Sequence, residues 1–457
     1  MIHKFKLFGK YIVLDVESGC VHILDKLSFE MLDLINFSNK KESLENILKH
    51  FKNMNSKEIE NRLNELFSLY EEKMLFSSFD YKNYIENVKE TKIKALCLHV
   101  AHDCNLRCRY CFASTGNFKK SRKLMPFETA KKAIDFLIEK SGNRRNLEVD
   151  FFGGEPLLNF DVIKKTVEYG KKIEKKYKKN LRFTLTTNGM LLTNDKIDYI
   201  NSNMSNVILS LDGRKEINDK FRITENGNGS YDLILKNFLQ FIKKRETKDY
   251  YVRGTFTKYN LDFFNDFIHF YNLGFKNISI EPVVCDENEE YAIKKENLPK
   301  IYEEYEKIAK FIIEKNSMGH KVNFFHFNID LSQGPCLIKR LRGCGSGCEY
   351  FAISPEGDIY PCHQFVGEDE FFMGNLFENN FKIDLKEKFS EMNLLNKKDC
   401  QQCWAKYYCG GGCVANNAKY YEKNILKPYS IGCEMEKKRV EVSIAIKACL
   451  LEKENFK

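Results

Sequence analysis

The chain has no apolar run near the roughly 20 residues that a helix needs to cross a bilayer, which argues against a membrane span. Its first residues, MIHKFKLFGKYIVLDV, contain no signal-peptide core and no small-residue cleavage site, so a cytoplasmic location is expected. Charge of one sign is also scarce. The net charge of +9 is modest for 457 residues, and the lysines are scattered as KK and EKK on polar helix faces. Residues 1–78 mix acidic and basic side chains without the basic stripe that nucleic-acid binding needs. Neither a membrane nor a nucleic-acid partner is expected, while an acidic peptide partner stays open.

Cysteine is abundant. There are sixteen, ten of them between Cys336 and Cys449 and three within CNLRCRYC. In a reducing compartment, where disulfides are rare, such clustering points to metal or iron–sulfur ligation.

Three regions follow from patterning. In residues 1–78, YIVLDVESGCVHILD reads as a hairpin turning at Glu17–Gly19, with helices near Ser28–Phe37 and Ser43–Phe51. A third helix opens at an Asn55 N-cap and carries Ile59, Leu63, Leu66, Phe67 and Tyr70 on one apolar face. This is the inventory of a winged helix-turn-helix. Residues 79–93 are polar enough for a linker. Residues 94–320 alternate strands (KALCLHVA, LEVDFFGG, RFTLTTNG, NVILSLDG, VRGTFTKY, NISIEPVV) with amphipathic helices such as Pro126–Glu139, Val162–Lys178 and Leu298–Glu314. Six such repeats predict an α/β fold, a partial (β/α)6 barrel whose functional residues sit at the C-terminal strand ends. Residues 321–457 turn to short Gly- and Cys-rich segments, which bound clusters are expected to organise.

The C-x3-C-x2-C spacing of Cys104, Cys108 and Cys111 lies just after the first barrel strand, followed in order by FFGGEPL, TTNG and SLDGRKEINDKFR. Zinc with His102 as fourth ligand is the alternative, but that spacing is unusual for zinc and leaves the later motifs unexplained. Together the motifs resemble the radical S-adenosylmethionine superfamily. The resemblance implies that the three cysteines hold a 4Fe–4S cluster whose fourth iron is chelated by S-adenosylmethionine, which is split to a 5′-deoxyadenosyl radical. It also implies cofactor contacts from Tyr110, Gly153, Gly154, Glu155, Thr187, Asn188, Ser210 and Arg222. The glycines would admit backbone to the methionine amino group and Arg222 would meet the carboxylate.

The C-terminal cysteines match the SPASM extension of that superfamily. Cys344 lies thirteen positions before Gly357 and Cys362 five after it, followed by CQQCWAKYYCGGGC and Cys433. Two zinc sites are the alternative. The resemblance implies auxiliary cluster II on Cys400, Cys403, Cys409 and Cys433, and auxiliary cluster I on Cys344, Cys362 and Cys413. With the first cluster this makes three 4Fe–4S clusters. The fourth ligand of cluster I is Cys348, Cys336 or a substrate cysteine. Sulfatase-maturing relatives carry Asp after the cysteine at position 362. Here His363 stands there, as a base, an orienting donor or an ordinary neighbour of the cluster.

The N-terminal module and the segments MIHKFKLFGKYIVLDVESGCVHILD and GCGSGCEYFAISPEGDIYPCHQFVG resemble the thioether-forming maturases of Cys-rich SCIFF peptides. The resemblance implies sactionine- or ranthipeptide-type Cys thioether cross-links in a ribosomally made precursor. Residues 1–78 would bind its leader, and a flavodoxin or ferredoxin would donate electrons. The alternatives are formylglycine formation as in anaerobic sulfatase maturation, and a zinc-bearing winged-helix regulator.

Overall fold

The computed structural model describes residues 1–78, 91–331, 341–378, 380–420 and 424–455. Most of the expected linker, residues 79–90, and Cys336 lie outside the described residues.

The N-terminal module is an antiparallel meander of β1 (Ile2–Leu7), β2 (Lys10–Asp15) and β3 (Val21–Leu24), followed by α1 (Lys26–Met31), α2 (Lys40–His50) and α3 (Ser56–Glu71). The expected hairpin is the β2–β3 pair, and β1 is an addition to it. The first expected helix is shorter than its pattern, ending at Met31. Asn55 caps α3 as expected, accepting from the Lys57 and Glu58 amides. Tyr70 is 38% exposed and stacks on Phe37 instead of joining the buried face. The two faces of β2 have different partners. Val13 packs in the module's own core with Ile59 and Leu63, whereas Ile12 and Leu14 pack with Val440 and Ile444 far along the chain.

In the central region β4 (Ala95–His102), β5 (Asn146–Gly153), β6 (Asn180–Thr187), β7 (Asn206–Ser210), β8 (Tyr251–Phe256) and β9 (Asn277–Pro282) are the six expected strands. They pair in parallel in chain order, and a two-residue β10 (Asn323–Phe324) extends the β9 edge. Helices α4 (Phe127–Lys140), α5 (Phe160–Tyr177), α6 (Asn194–Asn203), α7 (Lys215–Phe221), α8 (Tyr231–Arg245), α9 (Phe263–Asn272) and α10 (Leu298–Ser317) lie between the strands in the chain. All eight residues of β4 are buried, as befits a strand with neighbours on both edges and cover on both faces.

The sheet does not stop at the expected boundary near residue 320. Strand β11 (Tyr350–Ile353) pairs in parallel with β4 at its other edge, and β12 (Asp358–Tyr360) and β13 (Gly374–Asn375) continue antiparallel. The Cys-rich region also packs more than the composition led us to expect. Its Tyr360, Phe365 and Phe389 are buried with Ala113 and Phe118 of the barrel, and with Cys348 and Cys362. Short helices α11 (Ile383–Ser390), α12 (Lys398–Gln401), α13 (Lys406–Cys409) and α14 (Val414–Tyr420) precede the long α15 (Ser430–Asn455).

Candidate active site

The C-terminal ends of four adjacent strands converge. Cys104 follows β4 by two residues, Gly153 ends β5, Thr187 ends β6 and Ser210 ends β7, where it pairs with Arg253. Cys104, Cys108 and Cys111 stand close enough for their charges to interact. The Leu106 amide donates to Cys104 Sγ at 3.4 Å, and Asn188 Nδ2 lies 3.6 Å from the same sulfur. Burial, then the nearby Glu155, push the Cys104 thiol up to about 12. Burial likewise takes Cys108 to about 11. Buried thiols of this kind ionise when a metal takes up the negative charge, so the donor set fits an iron–sulfur cluster.

The paired glycines have a reason the sequence did not show. A Cβ on Gly153, at φ +129°, would sit 2.2 Å from the Ala101 carbonyl oxygen, and one on Gly154 would sit 2.1 Å from that of Asp103. They let β5 close against the end of β4 and so fix the loop that carries the cysteines. Gly116, not foreseen, closes the same cradle from the other side: its Cβ would lie 2.7 Å from Cys104 Cβ. The Glu155 carboxylate is fully buried and accepts from Thr187 Oγ1 at 2.8 Å, the Asn188 amide at 2.8 Å and the Leu157 amide at 3.0 Å. It therefore ties β5 to β6. Asn188 also donates to Asn105 Oδ1 at 2.8 Å, inside the cysteine loop.

Tyr110, Asp212 and Arg222 form a second cluster. The Tyr110 hydroxyl donates to Asp212, Arg222 Nη1 donates to the Tyr110 oxygen at 3.2 Å, and Arg222 lies 3.9 Å from the Asp212 carboxylate. Arg222 is 8% exposed, yet its Nε is buried without a hydrogen-bond partner among the described residues. A buried donor left open fits a carboxylate-bearing ligand. Asp212, within SLDG, was visible in the sequence but is marked as a site residue only by this pairing. Arg222→Lys keeps the charge beside Asp212 but loses the fork. It is expected to raise the KM for S-adenosylmethionine about 10- to 100-fold, from the 1.5–3 kcal/mol of a charged hydrogen bond, with little change in thermal midpoint.

A cavity of about 1160 Å3 opens beside the triad. Tyr110, Cys111 and Phe112 line one end, and Phe389, Lys419 and Tyr420 of the Cys-rich region line another part. His363 stands near it, 5.1 Å between ring centres from Phe152 and 5.9 Å from Phe112, with Tyr350 Oη at 3.2 Å from its Nδ1. Burial lowers its pKa to about 4, helped by Arg253 and Lys419, so the imidazole is neutral at neutral pH. His102, the zinc ligand of the alternative reading, is buried and its Nε2 lies 3.3 Å from Nδ1 of the buried His99, which the sequence did not flag.

Seven cysteines of the C-terminal region separate into two groups by electrostatic reach. Cys362 interacts with Cys413 and Cys344, and Cys413 with Cys344. Cys433 interacts with Cys400 and Cys403, and Cys409 with Cys433. Cys400, Cys403, Cys409 and Cys433 line a cavity of about 340 Å3. Cys348 lies within reach of Cys344, but its Sγ is 3.8 Å from the Lys386 carbonyl oxygen, to which it donates. Among the described residues no three His, Cys, Asp or Glu side chains are close enough to share a single ion.

The family model for the radical SAM superfamily matches residues 98–254, and that for the SPASM iron–sulfur cluster-binding domain matches residues 344–404. The chain is 24% identical over 435 residues to the radical SAM cyclopropyl synthase TigE of Paramaledivibacter caminithermalis, covering 89% of this chain and 87% of that one. It is 33% identical over 303 residues to an uncharacterised protein of Methanocaldococcus jannaschii, covering 64% and 92%. A cysteine-type anaerobic sulfatase-maturating enzyme of Clostridium novyi is 26% identical over 331 residues, covering 69% and 86%. The structure of Streptococcus suis SuiB bound to the precursor peptide SuiA superposes with a TM-score of 0.54 at 17% identity, covering 92% and 96%. The chain belongs to the radical S-adenosylmethionine superfamily, as a member with a SPASM domain that works with 4Fe–4S clusters and S-adenosylmethionine.

Proposed function

We propose that this enzyme forms Cys thioether cross-links in a Cys-rich precursor peptide. The observation that carries the reading is the cavity beside Cys111. Its volume of about 1160 Å3 extends beyond the cofactor-side residues Tyr110 and Cys111 to Phe389, Lys419 and Tyr420, and that further part suits a stretch of peptide. It also reaches from the residues around the first triad to Lys419, which lies within charge reach of Cys362.

Cys104, Cys108 and Cys111 hold the cluster that, with S-adenosylmethionine, supplies a 5′-deoxyadenosyl radical for abstracting hydrogen from a carbon of the peptide. Tyr110 and Arg222 orient the bound S-adenosylmethionine, and Thr187, Asn188 and Ser210 form the adjoining strand-end wall. Cys344, Cys362 and Cys413 would hold auxiliary cluster I, with its remaining position open to the peptide's own thiolate; the Cys348 thiol, which donates to the Lys386 carbonyl, supports this over Cys348 as the fourth ligand. Bound there, the thiol would be held as the thiolate and close to the carbon to which it is to be joined. Cys400, Cys403, Cys409 and Cys433 hold auxiliary cluster II. His363, neutral and held by Tyr350, is a proton acceptor or orienting donor beside the cavity. Residues 1–78 bind the leader, for which β3, at the edge of the meander, offers a side that is unpaired among the described residues.

The test is co-expression with a Cys-rich precursor peptide followed by mass spectrometry. Loss of two hydrogens per cross-link is expected, with the affected cysteines resisting alkylation after reduction. A peptide that loses hydrogens while every thiol still alkylates would replace thioether closure with another reaction, as the likeness to TigE allows. Conversion of a cysteine or serine to formylglycine would support the sulfatase-maturing alternative, against which the His363 position and the N-terminal module both argue.

A further inference from the structure

Lys397 is a lysine buried among cysteines. It is 1% exposed, and an ammonium group withdrawn from water is costly unless an opposite charge compensates it. Its Nζ donates to the Gly411 carbonyl at 2.7 Å. That is one neutral acceptor for three N–H groups carrying a full charge. Burial lowers its pKa, and the groups that oppose this are the cysteines Cys400, Cys409, Cys413 and Cys433, which favour the ammonium when they carry thiolate charge. Three belong to the group assigned to auxiliary cluster II and one to the group of cluster I.

The surrounding chain is shaped to keep it there. Gly410, Gly411 and Gly412 all have positive φ, at 70°, 90° and 73°, a run that only glycine adopts without strain. A Cβ on Gly411 would lie 3.2 Å from Lys397 Nζ and 3.4 Å from its Cδ. The same turn directs the Gly411 and Gly412 amides at the Cys409 sulfur, as an anion-binding nest does. Leu394, whose Cδ2 would also meet that Cβ at 3.4 Å, packs on the turn beside the lysine.

We propose that Lys397 is a positioning residue that sets the reduction potential of the auxiliary clusters. Reduction of such a cluster adds one electron and one negative charge, with no bond made or broken and no proton transferred. A fixed ammonium within charge reach of both groups of cysteines favours that added charge and raises the potential. Lys397 thereby keeps on the auxiliary side the electron released when the cross-link closes. The inference rests on the cysteine partition given under the proposed function.

The experiment is an EPR-monitored redox titration of the full-length, anaerobically reconstituted enzyme with dithionite, comparing wild type, Lys397→Met and Lys397→Arg. In Lys397→Met the auxiliary signals are expected to need a lower potential. At a fixed poise there should be at least about tenfold less reduced relative to oxidised auxiliary cluster, about 59 mV for one electron. The signal of the Cys104–Cys108–Cys111 cluster should stay in place, and Lys397→Arg should titrate close to wild type. Coincident titrations of Met variant and wild type would overturn the proposal, and so would equal shifts in the Met and Arg variants, which would point to packing. Loss of iron from the Met variant alone, with Arg unaltered, would assign the ammonium to cluster retention and also overturn the redox role. The iron content of the wild type tests the partition separately: about twelve per chain supports it, and about four would remove the auxiliary clusters themselves.

Discussion

Cys108→Ala is expected to abolish cleavage of S-adenosylmethionine while leaving the auxiliary clusters in place. Cys108 lies within charge reach of Cys111, Arg222 and Asp212, so it is the thiol that joins the cluster loop to the residues proposed to orient the cofactor. A cube that already gives one iron to S-adenosylmethionine has no protein ligand to spare. Removing one of the three thiolates leaves two irons without protein ligands. Iron should fall by about four per chain from about twelve, and 5′-deoxyadenosine should drop below detection by chromatography. The Cys344–Cys362–Cys413 and Cys400–Cys403–Cys409–Cys433 groups share no ligand with the triad, so brown colour and auxiliary EPR signals should persist. A variant that still produced 5′-deoxyadenosine would remove Cys108 from the ligand set.

The second large effect is expected from Gly153→Ala, a change of one methyl group. The new Cβ would stand 2.2 Å from the Ala101 carbonyl oxygen, a backbone atom that cannot swing aside, and the residue would hold φ near +129°, which alanine avoids. Either β5 separates from β4 or Ala101 moves, and Ala101 is three residues before Cys104. The expected cost is about 3–5 kcal/mol, at the severe end for single substitutions, together with loss of iron from the first cluster. Gly9→Ala is the control. Gly9 also has positive φ, at 75°, but a Cβ there meets nothing within 4 Å, so only the backbone term of about 1–2 kcal/mol applies. Thermal unfolding of the two variants separates steric closure from conformational preference. Equal losses would show that the contact with Ala101 is not what requires the glycine.

The barrel was legible because its six strands are apolar runs separated by long amphipathic helices, and because the cysteine spacings are rare combinations. β1 was not legible. Its turn places Phe8 and Gly9 at φ 49° and 75°, and a phenylalanine at the first position hides a two-residue turn usually announced by Asn-Gly. The pairing of β11 with β4 joins four-residue stretches some 250 positions apart, and nothing in either stretch names the other. The glycines of GGEP stand out in the sequence as a place for close backbone approach to a ligand, whereas the clash that demands them in the fold is with backbone at and just beyond the end of β4. Arg222 could be picked from its motif, but its unsatisfied Nε and the Asp212–Tyr110 partnership required coordinates. Lys397 looked like any surface lysine in the string NKKDC until the glycine turn was seen to close over it.

The parallel pairing of β11 with β4 bears on how such an enzyme can be divided. A chain cut near residue 320 would leave β4 with a row of unpaired amide and carbonyl groups along one edge, an invitation to associate with other chains. Among the described residues the N-terminal module shares no strand with the barrel, yet Ile12 and Leu14 pack with Val440 and Ile444 of α15. Glu17 also pairs with Lys406 at 2.7 Å and accepts from the Tyr407 hydroxyl at 2.8 Å, within the cysteine loop between Cys403 and Cys409. The transferable unit for building chimeras among relatives is therefore the barrel with its auxiliary half. A grafted recognition module would have to bring its own matching α15 surface and the counterparts of Lys406 and Tyr407.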